Sequence, residues 1–227
     1  MKLKHYSVFK VNTTDVIDWN SLRDEEQESH YCLPNSREKY LLKVSDGAPS
    51  DSVLMMIRQI QELKYKKVLS LGCGIAHTEY LIQENSDLQV TVSDNTESIK
   101  RLKSYGVFYN ALSLDILLDD FPVNNETIIL MHRIDTEFND AQMMSIFSKC
   151  KKLGVKHICF VPTDPVISSI IKNEAKTLIL SIIKNRKRTF CGYCRSKSSL
   201  IKLWTPFYKL IFEYKDGKPF YIIEIVE

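Results

Sequence analysis

The chain has 227 residues and 44% of them are hydrophobic, enough to bury the core of one α/β domain with an appended segment. Its 31 basic and 28 acidic residues give a net charge of +3, which is too mild to indicate the concentrated basic face of a nucleic-acid-binding protein. No stretch approaches the ~18 apolar residues of a membrane helix, and the N-terminus lacks the apolar run of a secretory signal, so we expect a cytosolic protein. The six cysteines are scattered, and we interpret them as reduced thiols packed as small hydrophobic side chains.

The first 50 residues alternate short apolar pieces with polar clusters and show no clean periodicity. Residues 18–29 are strongly charged and are a candidate helix, and residues 40–44 are a candidate short element. Ser50 then has the sequence context of an N-cap, because the apolar residues that follow it recur at helical spacing up to Leu63. We therefore divide the chain into an N-terminal segment over residues 1–50 and a main domain over residues 51–227.

A glycine turn between a predicted strand and a predicted helix carries most of the functional information. Residues 67–71 (KVLSL) are a short apolar run, typical of a strand buried on both faces. Gly72, Cys73 and Gly74 interrupt that run, and a helical pattern begins after residue 75. Two glycines around one small residue let the backbone turn sharply and present its N–H groups to a polar or anionic ligand. The order strand, glycine turn, helix predicts the first βαβ unit of a nucleotide-type binding domain.

Two acidic residues follow at the ends of the next predicted strands. Residues 89–93 (QVTVS) alternate and are β-branched, and Asp94 follows that strand, about 20 residues after the first glycine. A carboxylate there lies beside the glycine turn and can accept hydrogen bonds from ribose hydroxyls. Residues 107–114 form the predicted third strand, and Asp115 ends it.

These residues resemble the motifs of one enzyme family. Residues 68–74 (VLSLGCG) resemble motif I of the class I S-adenosylmethionine-dependent methyltransferases, usually VLDLGCGxG, and Asp94 matches the acid that ends their second strand. Residues 113–116 (SLDI) resemble the segment after their third strand. The resemblance spans roughly residues 50–227 and implies S-adenosylmethionine as cofactor. By this resemblance the cofactor-binding residues are Leu71, Gly72, Cys73 and Gly74 around the methionine part, Asp94 and Asn95 around the ribose, and Asp115 and Ile116 at the adenine.

Two positions depart from the family motif. Ser70 stands where the family usually has an acid, and Ala76 stands where a third glycine is common. The serine removes a charge near the sulfonium end of the cofactor, although its hydroxyl still forms hydrogen bonds. We expect these changes to weaken cofactor binding without abolishing it.

The end of the predicted fourth strand supplies the candidate catalytic residue. Residues 127–131 (TIILM) are almost wholly apolar and therefore central, and polar residues follow at the carboxyl end, where open α/β sheets bind ligands. His132 is the candidate general base for an oxygen or nitrogen acceptor, with a cofactor or packing contact as the alternative. Arg133 is a candidate for binding an anionic substrate, and a surface ion pair with Asp135 or Glu137 is the alternative.

The resemblance also implies that the N-terminal segment packs over the cofactor and shapes the substrate pocket. On that basis Tyr31 and Tyr40, with His30 and Arg37 beside them, are candidate substrate contacts, and ordinary packing is the alternative. We predict no metal site. The acids at 135, 137 and 140 lack ligands from elsewhere, and the single Cys191–Cys194 pair, placed after a basic helix end, has no partner pair for zinc.

The C-terminal half predicts how the sheet ends. A helix over residues 141–153, a strand over 157–161 and a long helix over 166–187 are followed by two strands, 207–214 and 220–226. Asp216 and Gly217 between those strands are a strong hairpin turn signal. We predict an α/β, Rossmann-like class I methyltransferase sheet that is mostly parallel, with a C-terminal antiparallel hairpin and helices on both faces.

The preferred hypothesis is S-adenosylmethionine-dependent methyl transfer to a small-molecule or sugar-containing acceptor, on oxygen or nitrogen. Nucleic acid is a less favoured acceptor, because residues 131–135 (MHRID) stand where amino-directed nucleic-acid methylases of this family carry an Asn/Asp-Pro-Pro-Tyr motif. A methyltransferase-like interaction subunit without activity is the first alternative, supported by Ser70 and Ala76. A nicotinamide-binding oxidoreductase is the second, and His77 at the sixth position of its glycine motif argues against it.

Overall fold

The computed structural model describes residues 1–8, 32–163 and 165–226. The strands in these ranges are β1 Lys2–Ser7, β2 Lys67–Leu71, β3 Gln89–Asp94, β4 Asn110–Ser113, β5 Thr127–His132, β6 His157–Val161, β7 Thr189–Arg195, β8 Tyr208–Tyr214 and β9 Phe220–Ile225. The α-helices are α1 Arg37–Val44, α2 Asp51–Glu62, α3 His77–Glu84, α4 Ser98–Tyr105, α5 Asp140–Lys152, α6 Ile167–Ile183 and α7 Lys197–Trp204, and a short 3-10 turn covers Ile134–Thr136.

Seven of these strands form one sheet, in the order β4-β3-β2-β5-β6-β9-β8. The strands β2 to β6 are mutually parallel, whereas β9 runs antiparallel to β6 and β8 runs antiparallel to β9. The predicted α/β sheet with its C-terminal hairpin is confirmed. The strand order reverses on either side of β2, which places the carboxyl end of β2 at the switch point where open α/β sheets bind ligands.

Alternate residues of the central strands face two separate cores. Val68 of β2 belongs to the core under α1 to α4, and its neighbour Leu69 belongs to the core under α5 and α7. The same alternation holds along β5, where Ile128 and Leu130 face one side and Ile129 and Met131 face the other. Helices cover both faces, so each of these strands is buried on both sides, and this explains why their sequences are continuously apolar.

A second, two-stranded sheet pairs the N-terminus with a late strand, and the sequence did not indicate it. β1 runs antiparallel to β7, with Lys2 opposite Arg195 and His5 opposite Gly192. Cys191 and Cys194, which the sequence places after a basic helix end, both lie within β7. Neither strand has a strong period of its own, and each forms because the other supplies its backbone hydrogen bonds.

The described part of the N-terminal segment is packed onto the main domain. Leu33, Tyr40 and Val44 are fully buried in the same core as the sheet residues Val68 and Val92. The guanidinium of Arg37 donates a hydrogen bond to the carbonyl of Tyr105 at 3.0 Å. The predicted boundary near residue 50 therefore does not coincide with a break in the core.

Two predicted elements are shorter in the structure. β4 covers four residues against the eight of the predicted third strand. α6 ends at Ile183, because Asn185 adopts a left-handed conformation with φ 44°. The N–H groups of Asn185 and Arg186 donate to the carbonyls of Ile182 and Ser181, which is the paired pattern of a Schellman motif. In the described ranges no helix combines the length and the apolar content needed to cross a membrane.

Candidate functional site

The glycine turn lies directly after β2 and is closed from above by apolar side chains. Gly72 and Gly74 have φ of 68° and 63°, which glycine adopts without strain. A Cβ atom at Gly72 would stand 2.8 Å from Ile134 Cγ2 and 3.6 Å from Ile116 Cδ1, so only glycine fits there. Ala76, at the place of the third motif glycine, also adopts a left-handed conformation with φ 56°. The backbone has therefore kept the conformation that favours glycine although the glycine itself is missing.

Asp94 is held against this turn by the backbone. Its Oδ2 accepts a hydrogen bond from the N–H of Gly74 at 3.0 Å, and its Oδ1 accepts one from the N–H of Thr96 at 2.9 Å. The N–H of Cys73 donates to the carbonyl of Ser93 at 2.9 Å, which ties the turn to β3. The carboxylate is therefore fixed beside the glycine turn, as the sequence predicted from strand order.

Asp115 and Ile116 come to the same edge of the sheet from the end of β4. The Oδ1 atom of Asp115 accepts hydrogen bonds from the N–H groups of Leu117 at 2.8 Å and Leu118 at 3.2 Å, so the carboxylate orders the loop that carries it. The side chain of Ile116 is buried and packs over Gly72. The glycine turn and the Asp115–Ile116 segment, which the resemblance assigns to the methionine and adenine ends of one cofactor, are therefore neighbours.

A cavity of about 690 Å³ opens above these segments. Most of the predicted site residues line it, namely Gly72, Cys73, Gly74, Asp94, Asn95, Asp115, Ile116, His132 and Arg133. Leu71 is fully buried within β2 and does not reach the cavity. Tyr31 and His30 lie outside the described residues.

Tyr40, predicted as a substrate contact, belongs to the core in this structure. Its side chain is fully buried, and its hydroxyl donates a hydrogen bond to the carbonyl of Ile75 at 3.1 Å. It is absent from the cavity lining. Burial raises the pKa of Tyr40, so the phenol is neutral. These contacts favour the packing alternative for this residue.

One wall of the cavity is formed by β1, β7 and α6, and sequence reasoning missed it. His5 and Ser7 of β1, Cys191 and Cys194 of β7, and Asn173 of α6 line it. The imidazole of His5 contacts the carboxylate of Glu174, which also accepts a hydrogen bond from Arg188 at 2.8 Å. The paired strands β1 and β7 lie nearly 190 positions apart in the sequence, and no local pattern reveals pairing at that distance.

His132 is half-buried at the end of β5. Burial, followed by the nearby cations Arg133 and Lys218, lowers the pKa of His132 to about 3. The imidazole is therefore neutral at physiological pH and acts as a hydrogen-bond partner rather than a cation. Arg133 is exposed at the cavity with φ 61°, and its N–H donates to the carbonyl of Val161 at 2.8 Å.

The acids after β5 each have partners of their own. Asp135 is buried and accepts hydrogen bonds from the N–H and the hydroxyl of Thr163, at 3.0 and 3.1 Å. Burial raises the pKa of Asp135 even against those hydrogen bonds. Asp140 pairs with Arg195 at 2.9 Å and Lys2 at 2.8 Å. In the described ranges no group of three or more His, Cys, Asp or Glu side chains is arranged to hold a metal ion.

Comparison with solved structures identifies the fold. The chain is similar to the pyocyanin biosynthetic protein PhzM, with a TM-score of 0.60 and 13% identity over 85% of this chain and 59% of that one. It is also similar to human N-acetylserotonin methyltransferase in complex with S-adenosylmethionine, with a TM-score of 0.59 and 12% identity over 94% and 64% of the two chains. The chain has the class I methyltransferase fold. A third similar structure is the PH0226 protein from Pyrococcus horikoshii OT3, with a TM-score of 0.55 and 14% identity over 78% and 92%.

The methyltransferase fold is thus shared at very low sequence identity. No protein-family model matches the sequence, and no curated protein matches it. The chain spans about six tenths of the length of PhzM and of human N-acetylserotonin methyltransferase. At this identity the likeness establishes the architecture, and activity has to be argued from the residues of the site.

Proposed function

We propose that this protein binds S-adenosylmethionine at the glycine turn and transfers its methyl group to a small-molecule acceptor held in the adjoining cavity. The observation that carries the proposal is the hydrogen bond between the N–H of Gly74 and the carboxylate of Asp94, at the mouth of a cavity of about 690 Å³. The same cavity receives Asp115 and Ile116 from the next strand. Two of the similar folds were solved with S-adenosylmethionine or S-adenosylhomocysteine, which supports this choice of cofactor.

The residues of the site fit such a cofactor. The backbone at Gly72, Cys73 and Gly74 suits the methionine part, since the two glycines turn the chain sharply and all three residues line the cavity. Two backbone N–H groups already hold the carboxylate oxygens of Asp94 beside the turn, so the carboxylate is preorganised for ribose hydroxyls. Asp115 and the apolar side chain of Ile116 suit the adenine. When bound, S-adenosylmethionine supplies an electrophilic methyl group, and the protein aligns an acceptor with it.

We assign the acceptor end of the cavity to His132 and Arg133, which line it together with residues of β1 and β7. A neutral imidazole at His132 is able to accept a proton or a hydrogen bond from an acceptor hydroxyl or amine. Its pKa of about 3 makes it a weak base, so its larger contribution is to orient the acceptor. Arg133 is exposed to the cavity and suits a carboxylate or phosphate on the acceptor. The acceptor is then a small or sugar-containing molecule, methylated on oxygen or nitrogen, and a cytosolic location stays a prediction from the sequence.

A second candidate is a methyltransferase-like subunit that keeps the fold for interaction and does not catalyse. Ser70, in place of the motif acid, is the observation that favours it, together with the left-handed Ala76 in place of the third glycine. This candidate predicts weak or absent cofactor binding.

Calorimetric titration separates the two candidates. Purified protein is titrated with S-adenosylmethionine and S-adenosylhomocysteine, with NADH as a control for the nicotinamide alternative. Asp94→Ala is expected to weaken binding of both sulfur ligands at least tenfold, whereas Asp87→Ala, an exposed acid beside β3, leaves both unchanged. Absence of binding at millimolar ligand would contradict the enzyme proposal and favour the interaction subunit.

A further inference from the structure

A buried carboxyl group lies beside Ser70, at the position where the family motif has its acid. Ser70 is fully buried in β2, and its hydroxyl donates a hydrogen bond to Oε1 of Glu79 at 2.6 Å. Glu79 is itself fully buried in the first turn of α3, the helix that begins three residues after Gly74. Helix and strand thus bring a carboxyl group within one hydrogen bond of the motif position.

The second oxygen of this carboxyl group is left unsatisfied. Oε2 of Glu79 is buried and has no hydrogen-bond partner within the described residues. Buried polar atoms of this kind are uncommon, because each loses its hydration without replacement. A buried carboxyl oxygen in this state calls for a role of Glu79 beyond packing.

Among the described residues, none of the groups that act electrostatically on Glu79 is positively charged. The titratable neighbours that act on it electrostatically are Asp94 at the end of β3, whose charge opposes its ionisation, and Tyr40 on α1. The helix α2, which also packs on α3, buries only apolar residues and Ser52 on its inner face. Burial, with Asp94 adding to it, raises the pKa of Glu79 to about 7. The carboxyl group is therefore close to half-ionised at neutral pH, and a nearby cation would complete its ionisation.

We propose that Glu79, through Ser70 and the glycine turn, supplies the negative charge that favours the sulfonium cation of S-adenosylmethionine, and so replaces the acid missing at position 70. The inference rests on the proposed function, since it takes the glycine turn as the binding site of the cofactor. Glu79 is a positioning residue in this role, because it acts from beneath the turn and does not line the cavity.

The inference requires Glu79 to distinguish a charged ligand from a neutral one. S-adenosylmethionine carries the sulfonium charge, and S-adenosylhomocysteine is the same molecule without the methyl group and that charge. Glu79→Gln keeps the size of the side chain and removes the ionisable group. We expect this substitution to lower the affinity for S-adenosylmethionine at least tenfold and to change the affinity for S-adenosylhomocysteine less than about threefold.

Binding should also release a proton near neutral pH. At pH 6.5 the measured enthalpy of S-adenosylmethionine binding to the wild-type protein is expected to depend on the ionisation enthalpy of the buffer, because the ligand drives a protonated Glu79 to ionise. The dependence should disappear in Glu79→Gln and persist in Glu84→Gln, an exposed acid at the end of the same helix. Ser70→Asp combined with Glu79→Gln returns the acid to the motif position and is expected to restore the preference for the charged ligand.

The outcomes separate this inference from the function on which it rests. If Glu79→Gln lowers the affinity for both ligands equally, or if binding still releases a proton in this variant, the inference is overturned while cofactor binding stands. If the wild-type protein binds neither ligand, the proposed function fails and the inference fails with it. A folded double variant that binds S-adenosylhomocysteine but has no preference for the charged ligand would also contradict the inference.

Discussion

Arg195 donates a hydrogen bond through Nε to Oδ1 of Asp140 at 2.9 Å, although its own side chain has no exposed surface. The same guanidinium donates to the carbonyls of Asp135 and Phe138. One side chain of β7 thus ties the small sheet to the segment after β5. Since both segments line the cavity, the shape of the site depends on this contact.

We predict that Arg195→Ala destabilises the fold by about 3 kcal/mol, because it leaves two carbonyls without donors and opens a cavity. The free energy of unfolding in urea measures the loss. Arg58→Ala removes an exposed ion pair with Glu62 and is expected to cost less than about 0.5 kcal/mol. A loss at Arg195 no larger than at Arg58 would show that the guanidinium contributes little to joining the two segments.

Gly192 provides a test of how closely β7 approaches the segment after β5. A Cβ atom there would stand 2.2 Å from the carbonyl oxygen of Thr136. Gly217 has nearly the same φ, 120° against 117°, but the nearest atom to a Cβ there would lie at 4.0 Å. Each Gly→Ala substitution costs about 1–3 kcal/mol because alanine has to adopt a positive φ. Only Gly192→Ala adds a clash with the carbonyl oxygen of Thr136. We expect its melting temperature to fall well below that of Gly217→Ala, and equal values would contradict the close approach.

Glu79 makes stability depend on pH in the absence of cofactor. Its pKa is about 7 in the folded protein against an ordinary value of 4.5, so the folded state binds the extra proton between those pH values. Burial of Glu79 therefore does not lower the free energy of unfolding below pH 4.5. As the pH rises to 7 and beyond, the free energy of unfolding falls by on the order of 3 kcal/mol.

In Glu79→Gln this loss should vanish. The free energy of unfolding in urea is measured for the wild-type protein and for the variant at pH 5 and pH 8. The effect of Glu79 is the change, between these two pH values, in the difference between the two free energies. At pH 8 the stability of Glu79→Gln relative to wild type should be higher than at pH 5. Glu84→Gln should show no such change with pH. A difference that does not vary with pH would show that the carboxyl group is not the source of the penalty.

His132 should not titrate near neutral pH, because burial and the adjacent cations hold its pKa at about 3. We expect its imidazole proton resonances to stay at their neutral positions between pH 5 and 8, assigned by their loss in His132→Gln. The same variant should lower turnover while leaving the affinity for S-adenosylmethionine within about threefold, since His132 is proposed to face the acceptor. A titration midpoint near 6.5 would contradict the burial of the ring.

The main sheet was accessible from sequence because its signals are local. The apolar runs of β2 and β5, the turn at Gly72 and Gly74, and the Asp216–Gly217 hairpin each constrain the backbone over a few residues. Strand order then brings Asp94 to the glycine turn, because parallel strands end at one edge. The cofactor side of the candidate site follows from these local rules.

The cavity wall formed by β1 and β7 did not follow from them. β1 and β7 have no pattern strong enough to predict either strand alone, and their pairing joins Lys2 to Arg195. Tyr40 was a candidate substrate contact because the resemblance implies that the N-terminal segment shapes the pocket, yet it lies in the core and its hydroxyl donates to the carbonyl of Ile75. Only burial distinguishes these roles, and burial is a property of the packed chain.

The sequence by itself determined the α/β architecture, the glycine turn and the acids beside it, since turn conformation and strand burial are encoded in neighbouring residues. Tertiary structure alone decided that β1 and β7 close the cavity, that Arg195 holds them there, and that Glu79 brings a carboxyl group to Ser70. Each of these depends on side chains that meet across distant parts of the chain, where the free energy of contact comes from packing and desolvation rather than from local preference.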